Sequence, residues 1–332
     1  MYRLKRKTGR TNTLTDVKGI NLGNFTDPGI LSGVTVIIPD ERVAAGVDVR
    51  GGAPGTREVS LLDPVNLIQK VDAIVLSGGS SYGLSASTGV MDYLEERGIG
   101  YTTRKGELVP IVPSAIIYDI YRGEKHGKIS SSAGYSACLN KGNPIRQGNT
   151  GAGTGAVSGG LKGGLGSASE VIREGVTIGA VAVVNSAGDT FDTLYGGFYA
   201  RSLEMEDEYG DLEHLPIDSS TRRPMDVGAG ECTVLGVVAT DVSLSKVELT
   251  KVAQMAQDGV ARAVRPAHTM YDGDTVFALS TGKVEYPGER GSVISFIGHV
   301  AADTLSRSII HGVLEAESVN GITSYREKFN LG

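Results

Sequence analysis

The run Cys232-Thr-Val-Leu-Gly-Val-Val-Ala-Thr-Asp241 carries the strongest structural signal in this 332-residue chain. From Val234 to Ala239 it is almost continuously apolar and rich in valine, which is typical of a β-strand covered on both faces. Such a strand lies inside a sheet that has other layers packed against both of its sides. The run therefore predicts a layered core with this strand at its centre.

Other short apolar runs have the same strand character, each four to nine residues long and bounded by Gly, Pro, Asp or Asn: 34–38, 44–49, 73–76, 176–184 and 275–279. Helical periodicity predicts three helices: Gly83 to Glu96, a helix capped by Ser243 or Ser245 that ends near Ala263, and Ser292 to Ala316. Strands and helices are mixed without strict alternation. We therefore expect an α/β fold of packed sheets rather than a doubly wound parallel sheet.

Charge and cysteine content narrow the functional classes. The formal net charge of −6 and the pI near 5.5 disfavour nucleic acid and anionic membrane surfaces as partners. Two cysteines, Cys138 and Cys232, cannot form a disulfide framework, which favours a reducing compartment. Residues Met1 to Arg10 are not followed by the apolar segment of a signal peptide, and no long apolar run predicts a membrane span. We expect a soluble, cytoplasmic protein.

Glycine is concentrated between Gly148 and Gly166, where 9 of 19 residues are glycine. Apolar residues are interspersed through this stretch at Val157, Leu161 and Leu165. Glycine clusters allow tight turns and close backbone approach, and the apolar residues indicate that the stretch packs against a core. It is predicted to be a structured loop that forms part of a site.

The segment from Arg201 to Glu231 has a different composition, with nine acidic and three basic residues, two prolines and no apolar periodicity. This composition predicts an exposed connection, and long connections of this kind are often functional. The segment ends at Cys232-Thr233, so a hydroxyl residue opens the buried strand.

Metal and nucleotide sites are not favoured. The five histidines and two cysteines show no paired metal-ligand spacing, so we expect no metal. Gly151-Ala-Gly-Thr-Gly-Ala156 matches the loosest dinucleotide fingerprint, but no clear strand precedes it. Lys162 is followed by Gly163 rather than Ser or Thr, so the loop does not match a P-loop. A nucleotide- or ligand-binding protein without hydrolytic activity is a minor alternative.

Two nucleophiles remain comparable on spacing alone. Gly79-Ser-Ser-Tyr-Gly83 fits G-x-S-x-G between a strand and a helix, which would make Ser81 the nucleophile of an esterase. Its histidine is hard to place, because His299 and His311 lie in a helical pattern and only His268 is on a loop.

The second candidate is Thr233. Cleavage of its bond to Cys232 would give it a free α-amine with a pKa of about 7.7–8.0, which could act as its own general base. Asp272 and Asp274, spaced i, i+2 around a glycine, could anchor that amine or shape its pKa. The same Asp-Gly-Asp run is also typical of a turn that opens a strand.

A set of motifs in fixed order distinguishes between the two candidate nucleophiles, Ser81 and Thr233. They span Leu31 to Val36, Gly46 to Arg57, Ala73 to Leu84, Pro110 to Pro113, Gly151 to Gly155, Leu161 to Gly164 and Gly236 to Asp241. Together they resemble the DmpA-type aminopeptidases (L-aminopeptidase/D-esterase), a family that includes β-peptidyl aminopeptidases and the nylon-oligomer hydrolase. The resemblance runs nearly end to end.

The resemblance implies a single domain over 1–332 with a four-layer αββα sandwich, similar to Ntn hydrolases but differently connected. It further implies self-cleavage into an α chain, 1–232, and a β chain, 233–332. Substrates would be small peptides or amino-acid amides and esters, without a cofactor, and the processed protomers would form a homo-oligomer such as a tetramer. Ornithine acetyltransferases share self-cleavage at threonine and a similar fold, so an acyltransferase is a related alternative.

Site residues are also implied by the resemblance. Thr233 matches the nucleophile, Lys162 a lysine that assists proton transfer, and Asn185 the donor to the oxyanion. Tyr82 matches a tyrosine that supports the intermediate, which would make Ser81 a bystander. Asp272 and Asp274 match a carboxylate pair near the nucleophile's amine.

One position departs from the family. The residue before the scissile bond is commonly Gly or Asn, whereas here it is Cys232. An N→O acyl shift is still expected, because the attacking hydroxyl and the attacked carbonyl are unchanged.

Overall fold

Two β-sheets packed face to face form the middle of the structure. The structure is a computed structural model, and it describes residues 6–142, 144–172, 175–210, 212, 215–218 and 232–331. The strands in chain order are β1 (Ile20–Asp27), β2 (Ser32–Pro39), β3 (Val43–Val49), β4 (Thr56–Arg57), β5 (Lys70–Val71), β6 (Ile74–Ser77), β7 (Tyr101–Thr102), β8 (Leu108–Val109), β9 (Ser114–Ile116), β10 (Val157–Ser158), β11 (Leu161–Lys162), β12 (Leu165–Val171), β13 (Thr177–Asn185), β14 (Thr233–Val242) and β15 (Thr275–Val284). The helices are α1 (Ala86–Glu95), α2 (Ser131–Leu139), α3 (Lys246–Ala263), α4 (Arg290–Leu314) and α5 (Tyr325–Lys328).

Within the described residues, the first sheet has the strand order β1-β2-β6-β9-β4 and the second β12-β13-β14-β15-β3-β5. Most neighbours are antiparallel, but β6 pairs with β9 and β14 with β15 in parallel. Strands β10 and β11 form a small hairpin, as do β7 and β8. All ten residues of β14 are buried, which confirms the prediction of a central strand.

Apolar side chains divide into three clusters that separate four layers. The residues Ile37, Leu76, Val183, Leu235 and Phe277 belong to the cluster between the two sheets. The outer face of the first sheet packs against α1 and α2. The outer face of the second sheet packs against α3 and α4. The order helix, sheet, sheet, helix is the αββα sandwich that the resemblance implied.

The side chains of β14 follow this division. Val234 and Val238 face the helices, whereas Leu235 and Val237 face the other sheet, as the two-residue period of a strand requires. A strand apolar at both sets of positions can only lie between two apolar layers. The uninterrupted apolar run of this strand is therefore the sequence counterpart of the four-layer architecture.

The predicted strands and the two long helices are present, with Ser245 as the N-cap of α3. The helix predicted from Gly83 begins later, because residues Ser80–Ser85 form a 3₁₀ helix before α1. Strands β1 and β12 and helix α2 were missed. Helix α2 has the sequence SSAGYSACL, which has no amphipathic stripe, because it packs through small residues.

By length and apolar composition alone, helix α4 could cross a membrane. It is the one such helix in the described part of the chain. However, 78% of its most apolar window is buried inside the fold. It packs against α3 and the second sheet, which accounts for its apolar composition.

The acidic segment is less exposed than its composition predicted. Among its described residues, Met205, Tyr209 and Leu212 are buried. Glu208 accepts hydrogen bonds from Arg307 Nη2 at 2.7 Å, and its Oε2 lies 2.9 Å from His311 Nε2. The prediction of an exposed connection was wrong here because the partners of Glu208 lie on α4, far away in sequence. Residues 219–231 lie outside the described residues.

Candidate active site

Thr233 and Asn185 are brought together by strand pairing. Thr233 is the first residue of β14 and Asn185 the last residue of β13, and they are direct partners in the antiparallel register. Directly opposed residues point to the same face of a sheet, with Cβ atoms about 4.5–5.5 Å apart. Thr233 is 5% exposed and Asn185 is fully buried. A hydroxyl and an amide therefore lie side by side where two strands end.

A glycine turn closes over the other side of Thr233. The Gly273 N–H donates to Cys232 O at 2.9 Å and to Thr233 Oγ1 at 3.2 Å. The Thr233 hydroxyl itself donates to the Cys232 carbonyl oxygen. A Cβ at position 273 would lie 2.8 Å from Thr233 Oγ1, so only glycine leaves room for this hydroxyl. The threonine oxygen and the carbonyl before it thus share one backbone donor.

The two predicted carboxylates flank this glycine and are both 1% exposed. Asp274 Oδ1 accepts from Val234 N at 2.7 Å, and its Oδ2 accepts from His268 N at 3.0 Å and lies 2.7 Å from His268 Nδ1. Asp274 therefore fixes the start of β14.

Asp272 organises the adjoining loop. Its Oδ2 accepts from Thr269 N at 2.9 Å and from Thr269 Oγ1 at 2.6 Å, and its Oδ1 accepts from Ala187 N at 3.4 Å. Burial raises the pKa of the Asp272 carboxyl, and the nearby charge of Asp274 raises it further.

Lys162 lies in the glycine-rich stretch and is fully buried. Its Nζ donates to the carbonyls of Gly163, Ala156 and Gly153 at 2.6, 3.0 and 3.1 Å. Burial lowers the pKa of this amine to about 7, and the charge of Arg122 acts in the same direction. A pKa of about 7 brings loss and uptake of this proton close to neutral pH, while the three hydrogen bonds to carbonyls belong to the protonated form.

Arg122 was not singled out by the sequence. Its Nη1 donates to Asn185 Oδ1 and to Gly155 O, both at 2.6 Å. Val157 N also donates to Asn185 Oδ1, at 3.0 Å, and Asn185 Nδ2 donates to Tyr118 O at 3.4 Å. Burial lowers the pKa of the Arg122 guanidinium.

Asp119 is the second residue that sequence reasoning missed. It is fully buried, accepts a hydrogen bond from Gly79 N at 2.6 Å, and its charge opposes the fall in the Lys162 pKa. Burial raises the pKa of the Asp119 carboxyl to about 6. Neither Asp119 nor Arg122 belongs to a catalytic motif, so only their contacts reveal them.

Tyr82 and Ser81 make no described hydrogen bond to the Thr233 group. Both side chains are exposed on the 3₁₀ helix Ser80–Ser85, Tyr82 to 48%. The Lys128 ammonium lies 3.6 Å from the centre of the Tyr82 ring. In the described part of the chain no hydrogen bond joins Tyr82 to Thr233 or Asn185, or Ser81 to a histidine. The loop histidine, His268, contacts Asp274 instead, so the triad required by the esterase alternative is not assembled.

No three His, Cys, Asp or Glu side chains are grouped as metal ligands among the residues that the structure describes. The groups that contact Thr233 or its strand partner are therefore a hydroxyl and backbone and amide N–H donors, while Lys162, whose pKa is close to neutral, bonds to carbonyls of the glycine-rich stretch. These are the groups needed for acyl transfer through a covalent intermediate.

Comparisons with known proteins identify the family. The model of peptidase family S58 matches residues 12–326. An aminopeptidase of Mycobacterium bovis, named as uncharacterized, is 42% identical over 338 residues that cover 96% of this chain and 98% of its own. A 6-aminohexanoate-oligomer endohydrolase of Kocuria sp. is 32% identical over 298 residues, 86% of this chain and 80% of its own.

A solved structure supports the fold independently. The L-aminopeptidase D-Ala-esterase/amidase of Ochrobactrum anthropi, described as a variant of the Ntn hydrolase fold, matches with a TM-score of 0.71 at 22% identity, over 95% of this chain and 89% of its own. The family match covers almost the whole chain, and the relatives match it over most of their own length. This chain is therefore a member of peptidase family S58, a peptidase and hydrolase with an Ntn-like αββα fold.

Proposed function

We propose that Thr233 is the nucleophile of a self-processing N-terminal hydrolase, which first cleaves its own chain after Cys232 and then hydrolyses amide bonds of small peptides or amino-acid amides. The observation that carries this proposal is the contact of the Thr233 hydroxyl with the Cys232 carbonyl oxygen, while Gly273 N–H donates to the same oxygen. Attacking group, electrophile and donor are adjacent in the uncut chain.

Self-processing would proceed in two balanced steps. Thr233 Oγ1 attacks the carbonyl carbon of Cys232, its proton passes to the Thr233 nitrogen, and the C–N bond breaks to leave an ester. Water then hydrolyses the ester, which gives a carboxylate on Cys232 and a free hydroxyl and amine on Thr233. Gly273 N–H is placed to stabilise the negative charge on the Cys232 oxygen in the first step.

Substrate hydrolysis would use the same hydroxyl. The freed amine of Thr233, with an intrinsic pKa of about 7.7–8.0, accepts the hydroxyl proton and returns it to the leaving amine. Lys162, with a pKa near 7, assists this transfer. Asn185 donates to the oxyanion, and removal of such a donor typically costs about 3–4 kcal/mol of transition-state stabilisation. Water then releases the acyl group from Thr233.

The carboxylates and Tyr82 have different places in this scheme. Asp274 and Asp272 hold the start of β14 and the Gly273 turn, so that the new amine emerges beside its hydroxyl. The proposal for Tyr82 rests on the family resemblance alone, because its side chain contacts Lys128 rather than the Thr233 group.

Replacement of the nucleophile tests the proposal directly. Thr233→Ala is expected to give one uncut chain of full mass with no amidase activity, whereas Thr233→Ser retains cleavage and activity. Ser81→Ala is the matched control and should be cut between residues 232 and 233 and remain active. Intact-mass spectrometry, a denaturing gel and hydrolysis of amino-acid p-nitroanilides are the measurements. A cut Thr233→Ala chain would refute the proposal.

Substrate and assembly remain predictions. Because relatives are named for aminopeptidase and 6-aminohexanoate-oligomer hydrolase activity, L-amino-acid amides, D-amino-acid esters, β-peptides and 6-aminohexanoate oligomers form the first substrate panel. Turnover that rises with an added amine acceptor would instead indicate an acyltransferase. A homo-oligomer is proposed from the family resemblance, and light scattering tests it. A cytoplasmic location and the absence of nucleic-acid or membrane partners are proposed from composition and charge.

A further inference from the structure

Arg122 has no part in the steps described so far, although it contacts the proposed oxyanion donor directly. Its Nη1 lies 2.6 Å from Asn185 Oδ1. We propose that Arg122 is a positioning residue, which holds the Asn185 amide in the single orientation that presents Nδ2–H to the oxyanion on Thr233. This inference rests on the proposed function, because it requires Asn185 to act as a donor.

The orientation of the Asn185 amide follows from its partners. An amide side chain can present either its oxygen or its NH₂ group, and the two are distinguished by hydrogen-bonding partners. The Arg122 guanidinium and the Val157 N–H are both donors only, and both lie within 3.0 Å of Oδ1. A flipped amide would place NH₂ against two donors, so the oxygen must face them. Nδ2 is thereby directed to the opposite side.

Nδ2 has donor capacity available in this orientation. It carries two hydrogens, and its one described bond, to Tyr118 O, is long at 3.4 Å. Asn185 is the direct partner of Thr233 across the sheet, so the amide and the hydroxyl lie on the same face. A donor that is already aimed at the developing charge needs no reorganisation during the reaction, which is the condition for effective oxyanion stabilisation.

A charged partner adds to this effect. A hydrogen bond from a guanidinium is stronger than one from a neutral donor, and it polarises the amide so that its N–H becomes a better donor. Arg122 makes no hydrogen-bonded ion pair among the described residues: its guanidinium bonds to the Asn185 and Gly155 oxygens, and the Asp119 carboxylate is its nearest opposite charge. Removing a guanidinium from water is costly for stability even when a carboxylate lies nearby. A role in the reaction accounts for its retention.

Arg42 provides the matched structural control. Its Nε donates to Asp72 Oδ1 at 2.8 Å and its Nη2 to Lys70 O at 3.1 Å, at the edge of the second sheet. Arg42 thus makes a bonded ion pair and a carbonyl contact without touching Asn185 or Thr233. Its replacement reports what the loss of a partly buried guanidinium does to the fold alone.

The test is a double-mutant cycle in the full-length, processed protein, with one amino-acid p-nitroanilide as substrate. Asn185→Ala is expected to lower kcat by about 10²–10³-fold. Arg122→Met should lower kcat by about 10-fold or more with little change in KM, and Arg42→Met should leave kcat unchanged. Because Arg122 acts through Asn185, the double variant should be no slower than Asn185→Ala alone. Multiplicative effects would overturn the inference, as would an unchanged kcat in Arg122→Met.

Two further variants keep the test decisive if Arg122→Met does not fold. Asn185→Asp keeps an acceptor for Arg122 but has no N–H donor, so it should be folded and as slow as Asn185→Ala. Arg122→Ala should regain kcat when millimolar guanidinium is added, and the same variant carrying Asn185→Ala should not. Rescue that is independent of residue 185 would overturn the inference. An unchanged kcat in Asn185→Ala would do so too, whereas the nucleophile is tested separately by Thr233→Ala.

Discussion

Lys162 and Lys246 are two lysines of low solvent exposure that make the same kind of hydrogen bond but differ in depth of burial and in neighbouring charge. Lys162 is fully buried and Lys246 is 2% exposed, and each Nζ donates to three backbone carbonyls. Burial lowers the pKa of both amines. For Lys162 the next charge is the Arg122 cation, whereas for Lys246 it is the Asp63 carboxylate, which favours the protonated form.

This difference separates the proposed proton-transfer lysine from a structural one. Lys162 has a pKa of about 7, so its proton is mobile near neutrality. The folded chain holds that proton less tightly than the unfolded chain, so the contribution of Lys162 to stability increases as pH rises from about 7 to 10.5. Lys246 instead ties the carbonyls of Leu61, Asn66 and Ile68 to the first turn of α3. Low solvent exposure and hydrogen bonds to three carbonyls do not by themselves identify a catalytic amine.

The largest expected effect is the loss of kcat on removal of the Lys162 amine. Lys162→Met is expected to lower kcat by about 10²–10⁴-fold, the range for loss of a group that assists proton transfer. The measurement is kcat on an amino-acid p-nitroanilide after intact mass has confirmed processing. A Lys162→Met protein that turns over at the normal rate would contradict the proposed role of the amine.

Lys246→Met is the control for that experiment. It should leave kcat unchanged and lower the free energy of unfolding in urea by about 1–3 kcal/mol, because buried carbonyls lose their donor. A large loss of kcat in Lys246→Met, with the fold intact, would contradict a purely structural role for Lys246.

The carboxylate near each lysine offers a finer test. Asp119 raises the pKa of Lys162 and Asp63 raises that of Lys246. Asp119→Asn should therefore move the titration midpoint of Lys162 from about 7 to lower pH and leave Lys246 unchanged, because one stabilising negative charge is lost. Asp63→Asn should do the reverse. NMR titration of ¹³C-labelled lysine side chains measures both, with the two methionine variants for assignment. An unchanged titration midpoint of Lys162 in Asp119→Asn would contradict this electrostatic account.

The sequence predicts the position of the Thr233 site better than it predicts the protonation of the two lysines. Strand periodicity predicted β14 and β13, and the register of those strands then places Thr233 beside Asn185. The family resemblance supplied Lys162. Nothing local distinguishes the protonation of Lys162 from that of Lys246. It depends first on how deeply the fold buries each amine, and then on Arg122 and Asp119, which lie in a loop without a motif.

The misjudged acidic segment has the same cause. The buried Glu208 is bonded to Arg307, 99 residues later in the chain, so the local composition gave no sign of its partner. Periodicity reports which face of an element is covered, whereas the state of a buried charge depends on which other charges the fold brings near. Arg122 escaped notice in the sequence for this reason, although it lies within hydrogen-bonding distance of Asn185.

The smallest expected effect concerns the cap beside Lys246. Ser245 Oγ accepts a hydrogen bond from Glu248 N and forms a capping box at the start of α3. Ser245→Ala should lower the free energy of unfolding by about 1 kcal/mol, the usual value for loss of an N-cap, and leave kcat and self-processing unchanged. Urea denaturation and intact mass test this. A measurable loss of kcat would show that the anchorage of α3 is coupled to the Thr233 site, and would contradict the assignment of Lys246 and its helix start to stability alone.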